Sequence, residues 1–263
     1  MSNINKAAKI LFDSRINLKR LSKLPGDCAP KTSDEGYKIQ NKLTKTYLSQ
    51  KNTVRIIGKK IGCTNKAAQK QINVHEPFYG NIFSNYSSKS ECAINSSNFF
   101  QPYVEPEFSF KINFSPDPIK APFDNDDIEK CILSVLPSIE IVDSRFKDWK
   151  SIGINNLIAD NGVNAYWIHG KEIKNFKGID FKNHKVSLKI NNKIVVRGNS
   201  KNVMGNPINS IVWLANTLAD KNQKIPKNAY ISTGTCTPAI QIYQGDKITA
   251  NFGKLGKVSF VYK

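Results

Sequence analysis

Hydrophobic positions recur along this chain with two different periods, and the two periods divide it into helical and extended stretches. Near the N-terminus, Ala7, Ile10, Leu11, Leu18 and Leu21 read as a helix that docks on the rest of the chain. Thr32-Ser33-Asp34-Glu35 is a capping-box start, and Tyr37, Ile39, Leu43 and Tyr47 carry helical spacing to about Gln50. Val54 to Ile61 reads as a strand ended by Gly62, and the Ser- and Asn-rich residues 84–98 as a loop or hairpin connection. From Pro102 to Phe114 the period changes to two, with Val104, Phe108, Phe110 and Ile112 at even spacing. Asp124 is expected to cap a helix through Ile128, Ile132, Leu133 and Leu136 that Pro137 stops, with a strand over Ile139, Ile141 and Val142. A hairpin over 186–197 turns at Asn191-Asn192, a helix follows Asn206-Pro207, and the last forty residues read as short strands and turns. Separate helices among many short strands predict an α+β fold that is β-rich in its C-terminal two-thirds.

Composition narrows the classes. The 263 residues are 40% hydrophobic and 23% charged, enough apolar surface to fold without disulfide or metal support. No apolar run approaches the ~20 residues that span a bilayer. Five cysteines (Cys28, Cys63, Cys92, Cys131, Cys236) are scattered, and three histidines leave no zinc-ligand spacing, so reduced thiols in a cytoplasmic protein are expected. Residues 1–25 are basic and nearly free of acid, loosely like a transit peptide, but they lack a secretory apolar core, and the helix reading is preferred. The net charge of +18 invites a nucleic-acid reading. Only five of the 39 basic residues are Arg, however, and the lysines are spread along the chain, which suits a solvated surface or a field that attracts small anions.

The candidate chemistry lies in three segments. In Val104-Glu105-Pro106-Glu107-Phe108-Ser109-Phe110, period-two alternation puts Glu105, Glu107 and Ser109 on one face and Val104, Phe108 and Phe110 on the other. Two neighbouring carboxylates repel, and a divalent ion relieves them; oxygen ligands without His or Cys suit Mg²⁺ or Mn²⁺. The plainer alternative is a solvent-facing strand with two unrelated acids. Pro106 between them calls for an edge strand or a bulge. Glu140, among apolar neighbours, needs a partner, either the same cation or one of the many lysines. In Val54 to Gly62, a lysine between apolar residues and glycines is either an anion-holding ammonium or an exposed side chain.

In this order, these segments resemble the hydratase/decarboxylase branch of the fumarylacetoacetate hydrolase superfamily, which contains 2-keto-4-pentenoate hydratases, 2-oxohept-4-ene-1,7-dioate hydratases and 4-oxalocrotonate decarboxylases. The matching stretches are Gly58-Lys-Lys-Ile-Gly-Cys-Thr64, Gln101-Pro-Tyr-Val-Glu-Pro-Glu107 and Leu136-Pro-Ser-Ile-Glu-Ile-Val-Asp-Ser-Arg145. Ala159-Asp-Asn161, Gly205-Asn-Pro207 with Trp213-Leu-Ala-Asn216, Ser232-Thr-Gly-Thr-Cys-Thr-Pro238 and Leu255-Gly-Lys-Val-Ser259 follow. The resemblance runs from the Glu35-Gly-Tyr-Lys-Ile-Gln40 helix to the C-terminus.

The resemblance implies a rolled, mixed β-sheet catalytic domain over residues 73–263, preceded by a smaller helical part over 1–72. It implies one Mg²⁺ or Mn²⁺ on Glu105, Glu107 and Glu140, with Lys60 as the catalytic lysine. Asn161, Thr235 and Thr237 are expected against the substrate. A 2-oxo acid would be chelated by the metal, which acts as a Lewis acid where an enolate develops. The implied activity is hydration of a 2-hydroxy-2,4-dienoate in aromatic-compound catabolism. The alternatives are 4-oxalocrotonate-type decarboxylation, acylpyruvate hydrolysis, oxaloacetate decarboxylation, or a catalytically impaired partner subunit. A homo-oligomer is expected, with association with a related decarboxylase or hydratase. Two positions depart from the family pattern. Phe78 stands where relatives carry Asp in Gln-Pro-Asp-Tyr-Gly, with Glu76 the nearby carboxylate that could substitute; Val163-Asn164 replace a Ser-Ser pair.

Overall fold

The computed structural model describes residues 3–50 and 53–263. Two helices come first, α1 (Asn3–Ile16) and α2 (Ser33–Gln50), followed by β1 (Ile56–Gly62), α3 (Lys66–Gln71) and β2 (Phe78–Phe83). Short strands β3 (Ser87–Lys89) and β4 (Cys92–Ile94) lead to the long β5 (Tyr103–Ile112), then α4 (Asn125–Cys131) and β6 (Ile132–Val142). The remainder is α5 (Ile154–Ala159), β7 (Asn164–His169), the hairpin β8 (Lys185–Ile190) and β9 (Lys193–Asn199), and α6 (Pro207–Ala219). The chain closes with β10 (Tyr230–Thr235), β11 (Ile240–Gln241), β12 (Lys247–Asn251) and β13 (Lys257–Tyr262).

The strands form two mixed sheets. The larger has the order β2-β1-β10-β5-β6-β7-β3 with β11 also on β5, and the smaller has the order β4-β13-β12-β8-β9. The larger sheet curls until β2 and β7 approach each other. Its outer face, carrying Val104, Phe108, Phe110, Ile139 and Ile141, packs on the smaller sheet, where Phe108 meets Phe252 and Phe181 edge-on. The inner face of the curl carries polar groups beside a small apolar cluster of Ile82, Leu136 and Trp167. β1 lies next to the end strand β2, antiparallel to it and parallel to β10 on its other side.

The helices behave as their sequences require. Tyr37, Ile39, Leu43 and Tyr47 are all buried, and with Ala7, Ala8, Leu11 and Phe83 the last three form a second core under α1 and α2. Glu35 N–H donates to Thr32 Oγ1, while the Glu35 carboxylate reaches back to the amide of Lys31. Leu18 falls beyond the end of α1 and is exposed. The helix after Asp124 is capped as expected, with Asp124 and Asp127 exchanging hydrogen bonds with each other's backbone. It ends at Cys131, however, and the expected helical residues Ile132, Leu133 and Leu136 belong to β6, with Pro137 inside the strand opposite Phe108. Residues 132–142 are buried almost throughout, and on the face that carries Ser134, Ser138 and Glu140 the apolar Ile132 and Leu136 blur the period that separates strand from helix.

Candidate metal centre and active site

The inner face of the curl brings three carboxylates together. Glu105 and Glu140 are direct cross-strand neighbours on β5 and β6, and Glu107, two residues along, shares their face. One oxygen from each of Glu105, Glu107 and Glu140 can be chosen so that all lie within 4.8 Å of one another. Glu107 and Glu140 are fully buried and Glu105 is half-buried. Three like charges out of water are costly. Burial, then the neighbouring Glu140, pushes Glu105 up to about 7. Burial followed by the neighbouring acids raises Glu107, and burial raises Glu140.

The sheet supplies one cation to this group. Lys60, 1% exposed, sets its Nζ 3.3 Å from Glu140 Oε2. Burial alone would lower this amine, but Glu140, Glu105 and Glu107 overrule it and hold Lys60 above its ordinary value, as an ammonium. Lys59 points to the other face, where it donates to Asn81 Oδ1 at 3.0 Å, and burial there lowers it to about 8. Adjacent lysines on one strand are thus opposite in environment. One ammonium against three carboxylates leaves the cluster short of positive charge. Glu107 Oε1 and Glu140 Oε2 are both buried without a hydrogen-bond partner. Unpaired acceptor oxygens on an all-carboxylate site fit a hard divalent cation of the Mg²⁺ or Mn²⁺ class.

The remaining expected residues divide. Thr235 is paired in register with Glu107, but its hydroxyl donates to Thr237 O at 2.6 Å and that of Thr237 to Pro238 O at 3.0 Å, so both brace the turn. Asn161 uses both ends of its amide on β2, accepting from Asn81 N–H at 2.8 Å and donating to Asn81 O at 2.9 Å. Glu76 is exposed ahead of β2. Two residues on, the buried Phe78 places its ring 5.4 Å from Lys60 Nζ. Gly62 makes room for that ring, since a Cβ there would come within 2.8 Å of it.

Several neighbours of the carboxylates escaped the sequence reading. Ser232 Oγ donates to Glu107 Oε2 at 2.6 Å and Gly234 N–H to the same oxygen at 3.1 Å. Asn164, at one of the two departures from the family pattern, donates to Glu140 Oε1 at 2.8 Å. Behind Ser232 lie Ser109 and Ser138, which with Ser232 are wholly buried. Only Ser109 carried a signal, the even spacing that places it on the Glu105/Glu107 face. The irregularity that Pro106 called for lies on the partner strand: β5 is interior, and β10 shifts register between Ser232 and Thr235, turning Gly234 (φ +98) toward Glu107.

A buried ion pair frames the site from outside. Arg145 bonds the Asp160 carboxylate through Nε and its own amide and donates to Asp160 O at 2.7 Å, holding the turn that carries Asn161. Arg15 of α1 donates to the carbonyls of Asn164 and Ala165 at 3.0 and 2.6 Å, which ties the N-terminal helix to the strand that carries Asn164.

Comparison with known proteins agrees with this arrangement. The chain is 27% identical over 253 residues to a 4-oxalocrotonate decarboxylase of Pseudomonas putida, covering 96% of this chain and 94% of the relative. It is 27% identical over 256 residues to 2-keto-4-pentenoate hydratase 1 of Dechloromonas aromatica, covering 97% and 95%. The structure of 4-oxalocrotonate decarboxylase from Pseudomonas putida G7, complexed with magnesium and adipate, superposes with a TM-score of 0.92 at 26% identity over 99% of this chain and 97% of that one. By sequence and by fold the chain is similar to the hydratase/decarboxylase branch of the fumarylacetoacetate hydrolase superfamily. No family model matches it. A fumarylpyruvate hydrolase from Pseudomonas aeruginosa in complex with Mn²⁺ and pyruvate shares the fold more distantly, with a TM-score of 0.61 at 10% identity over 78% of this chain and 89% of that one. Among the described residues, no helix is long and apolar enough to cross a membrane.

Proposed function

We propose that this protein is a Mg²⁺-dependent lyase of the 2-keto-4-pentenoate hydratase type, acting on a small 2-oxo or 2-hydroxydienoate acid in the cytoplasm, as a homo-oligomer. The observation that carries the reading is a buried ammonium, Lys60, 3.3 Å from one of three converging carboxylates that have acceptor oxygens to spare. Glu105, Glu107 and Glu140 would hold the cation, which when bound supplies Lewis acidity at the 2-oxo oxygen of the substrate. Lys60, held as an ammonium, orients the substrate's anionic end and delivers or retrieves the proton that moves during tautomerisation. Phe78 keeps water from the Lys60 side of the site. Proton handling is assigned to Lys60 ahead of Glu76, which is exposed. Thr235, Thr237 and Asn161 shape the wall around the substrate.

Phe78 favours a second reading. A hydratase must activate water, and the side chain in the position of the family's Asp is an apolar ring. Decarboxylation needs no such base: the bond to the carboxylate carbon breaks, its electron pair passes to the 2-oxo group, and Lys60 can protonate the carbon left behind. The two readings separate on one assay. Loss of ultraviolet absorbance of fresh 2-hydroxypenta-2,4-dienoate, dependent on Mg²⁺ and abolished by EDTA, with the hydrated product recovered, supports the hydratase. Release of CO₂ from 4-oxalocrotonate without dienoate hydration supports the decarboxylase. Inactivity on both, alone and with a related hydratase or decarboxylase, would defeat the lyase reading.

A further inference from the structure

Each of the two fully buried carboxylates has one oxygen occupied by protein donors and one bare. Glu107 Oε2 accepts from Ser232 Oγ at 2.6 Å and from Gly234 N–H at 3.1 Å, whereas Oε1 is buried without a hydrogen-bond partner. Glu140 Oε1 accepts from Asn164 Nδ2 at 2.8 Å; its Oε2 has Lys60 at 3.3 Å but no hydrogen bond. Ser232 Oγ in turn accepts a hydrogen bond from a second serine. Ser109 Oγ donates to Ser232 Oγ at 2.9 Å, and Ser138 Oγ lies 2.7 Å behind Ser109 Oγ. Each hydroxyl has a single proton. Ser138 spends its proton on Glu107 O at 3.0 Å and Ser109 spends its own on Ser232, which leaves the Ser232 proton for Glu107 Oε2. All three serines are 0% exposed, so bulk water cannot replace a missing donor. Turning Glu107 Oε2 toward a cation would strand the Ser232 hydroxyl and the Gly234 amide in a dry interior, which costs more than the hydrogen bonds are worth in water.

We propose that Ser232 and Asn164 restrict Glu107 and Glu140 to one oxygen each toward a bound divalent cation, and that this restriction selects a small octahedral ion against calcium. Calcium accepts roughly six to eight oxygens at longer range, often taking both oxygens of a carboxylate, while magnesium holds to a tight octahedron. A site whose carboxylates can each spend only one oxygen withholds from calcium the extra ligands it prefers. The inference rests on the reading of this cluster as a divalent-cation site.

The test is calorimetric titration of the EDTA-stripped full chain with MgCl₂ and with CaCl₂, for the wild type and for Ser232→Ala, Asn164→Ala and Ser109→Ala. The ratio of calcium to magnesium affinity is expected to rise about tenfold in S232A and in N164A, the scale of one lost hydrogen bond to a charged group. In S109A, which keeps the Ser232 hydroxyl on Glu107, the ratio should stay within about twofold of the wild type. An unchanged ratio in S232A and N164A, with magnesium still bound by the wild type, overturns the proposal. So does an equal rise in S109A, which would trace the effect to packing. A wild type that binds neither ion instead defeats the underlying reading of the site. Should S232A fail to fold by near-ultraviolet circular dichroism, Ser232→Cys, which keeps the shape and weakens the donor, is read by the same ratio with the same criteria.

Discussion

Replacing Lys60 with methionine removes the one ammonium that, among the described residues, is paired with the carboxylates, while keeping most of the buried volume. The pair it breaks has a 3.3 Å separation and side chains 2% and 0% exposed. At an effective dielectric of about 20, that separation corresponds to about 5 kcal/mol of attraction. Part of this is returned, because the lysine no longer has to be buried, and breaking a buried pair typically costs about 3–5 kcal/mol. About 3 kcal/mol is therefore expected for K60M in EDTA, read as a urea midpoint lowered by about 1 M. The pH dependence carries a sign. Lys60 is raised, so its own contribution is full below the unfolded amine value of 10.5 and does not change between pH 5 and 8. The carboxyls are raised too, Glu105 from 4.5 to about 7, so their burial penalty is full above the folded value and disappears as pH falls toward the unfolded one. Without Lys60 that penalty grows. The K60M deficit should thus be largest at pH 8 and shrink toward pH 5, and Mg²⁺ should stabilise K60M more than the wild type. Coincident urea midpoints at pH 8 in EDTA, or a deficit that widens toward pH 5, would refute the electrostatic account of the cluster.

Three further outcomes are expected. Asp160→Asn leaves Arg145, 3% exposed, without its counter-charge, and should lower stability by about 3 kcal/mol; a melting temperature equal to the wild type's would show that the pair contributes nothing. Gly234→Ala asks a residue with a Cβ to adopt φ +98 against Thr64, so a loss of about 2 kcal/mol or more and a failure to bind Mg²⁺ by calorimetry are expected. Glu76→Gln, at an exposed position, should leave turnover within about threefold, whereas loss of a general acid or base costs about a hundredfold or more; a drop of that size would place Glu76 in the reaction.

Much of the candidate site was legible because it depends on local periodicity. Alternation along residues 104–110 put Glu105, Glu107 and Ser109 on one face and Val104, Phe108 and Phe110 on the other, and β5 holds that division without a bulge of its own. The capping residues Asp124 and Thr32 started helices where their side chains could take up free backbone N–H groups. Local pattern failed at Ile132–Val142, where burial on both faces put Ile132 and Leu136 among the polar positions and blurred the period that tells a strand from a helix.

What no local pattern could supply was which residues from distant parts of the chain share the inner face of the curl. Alternation says that Lys59 and Lys60 point apart; only the placement of β1 between β2 and β10 decides that Lys60 faces the carboxylates and Lys59 faces Asn81. Ser232 and Gly234 reach Glu107 from far along the chain because β10 pairs with β5 and breaks register beside Pro106. Asn164 meets Glu140 because β7 flanks β6. The sequence by itself determined which side chains go together along each strand, since that follows from the pleat. Strand order and register decided which donors and charges meet across strands, because those contacts exist only once the sheet has closed and shut out water.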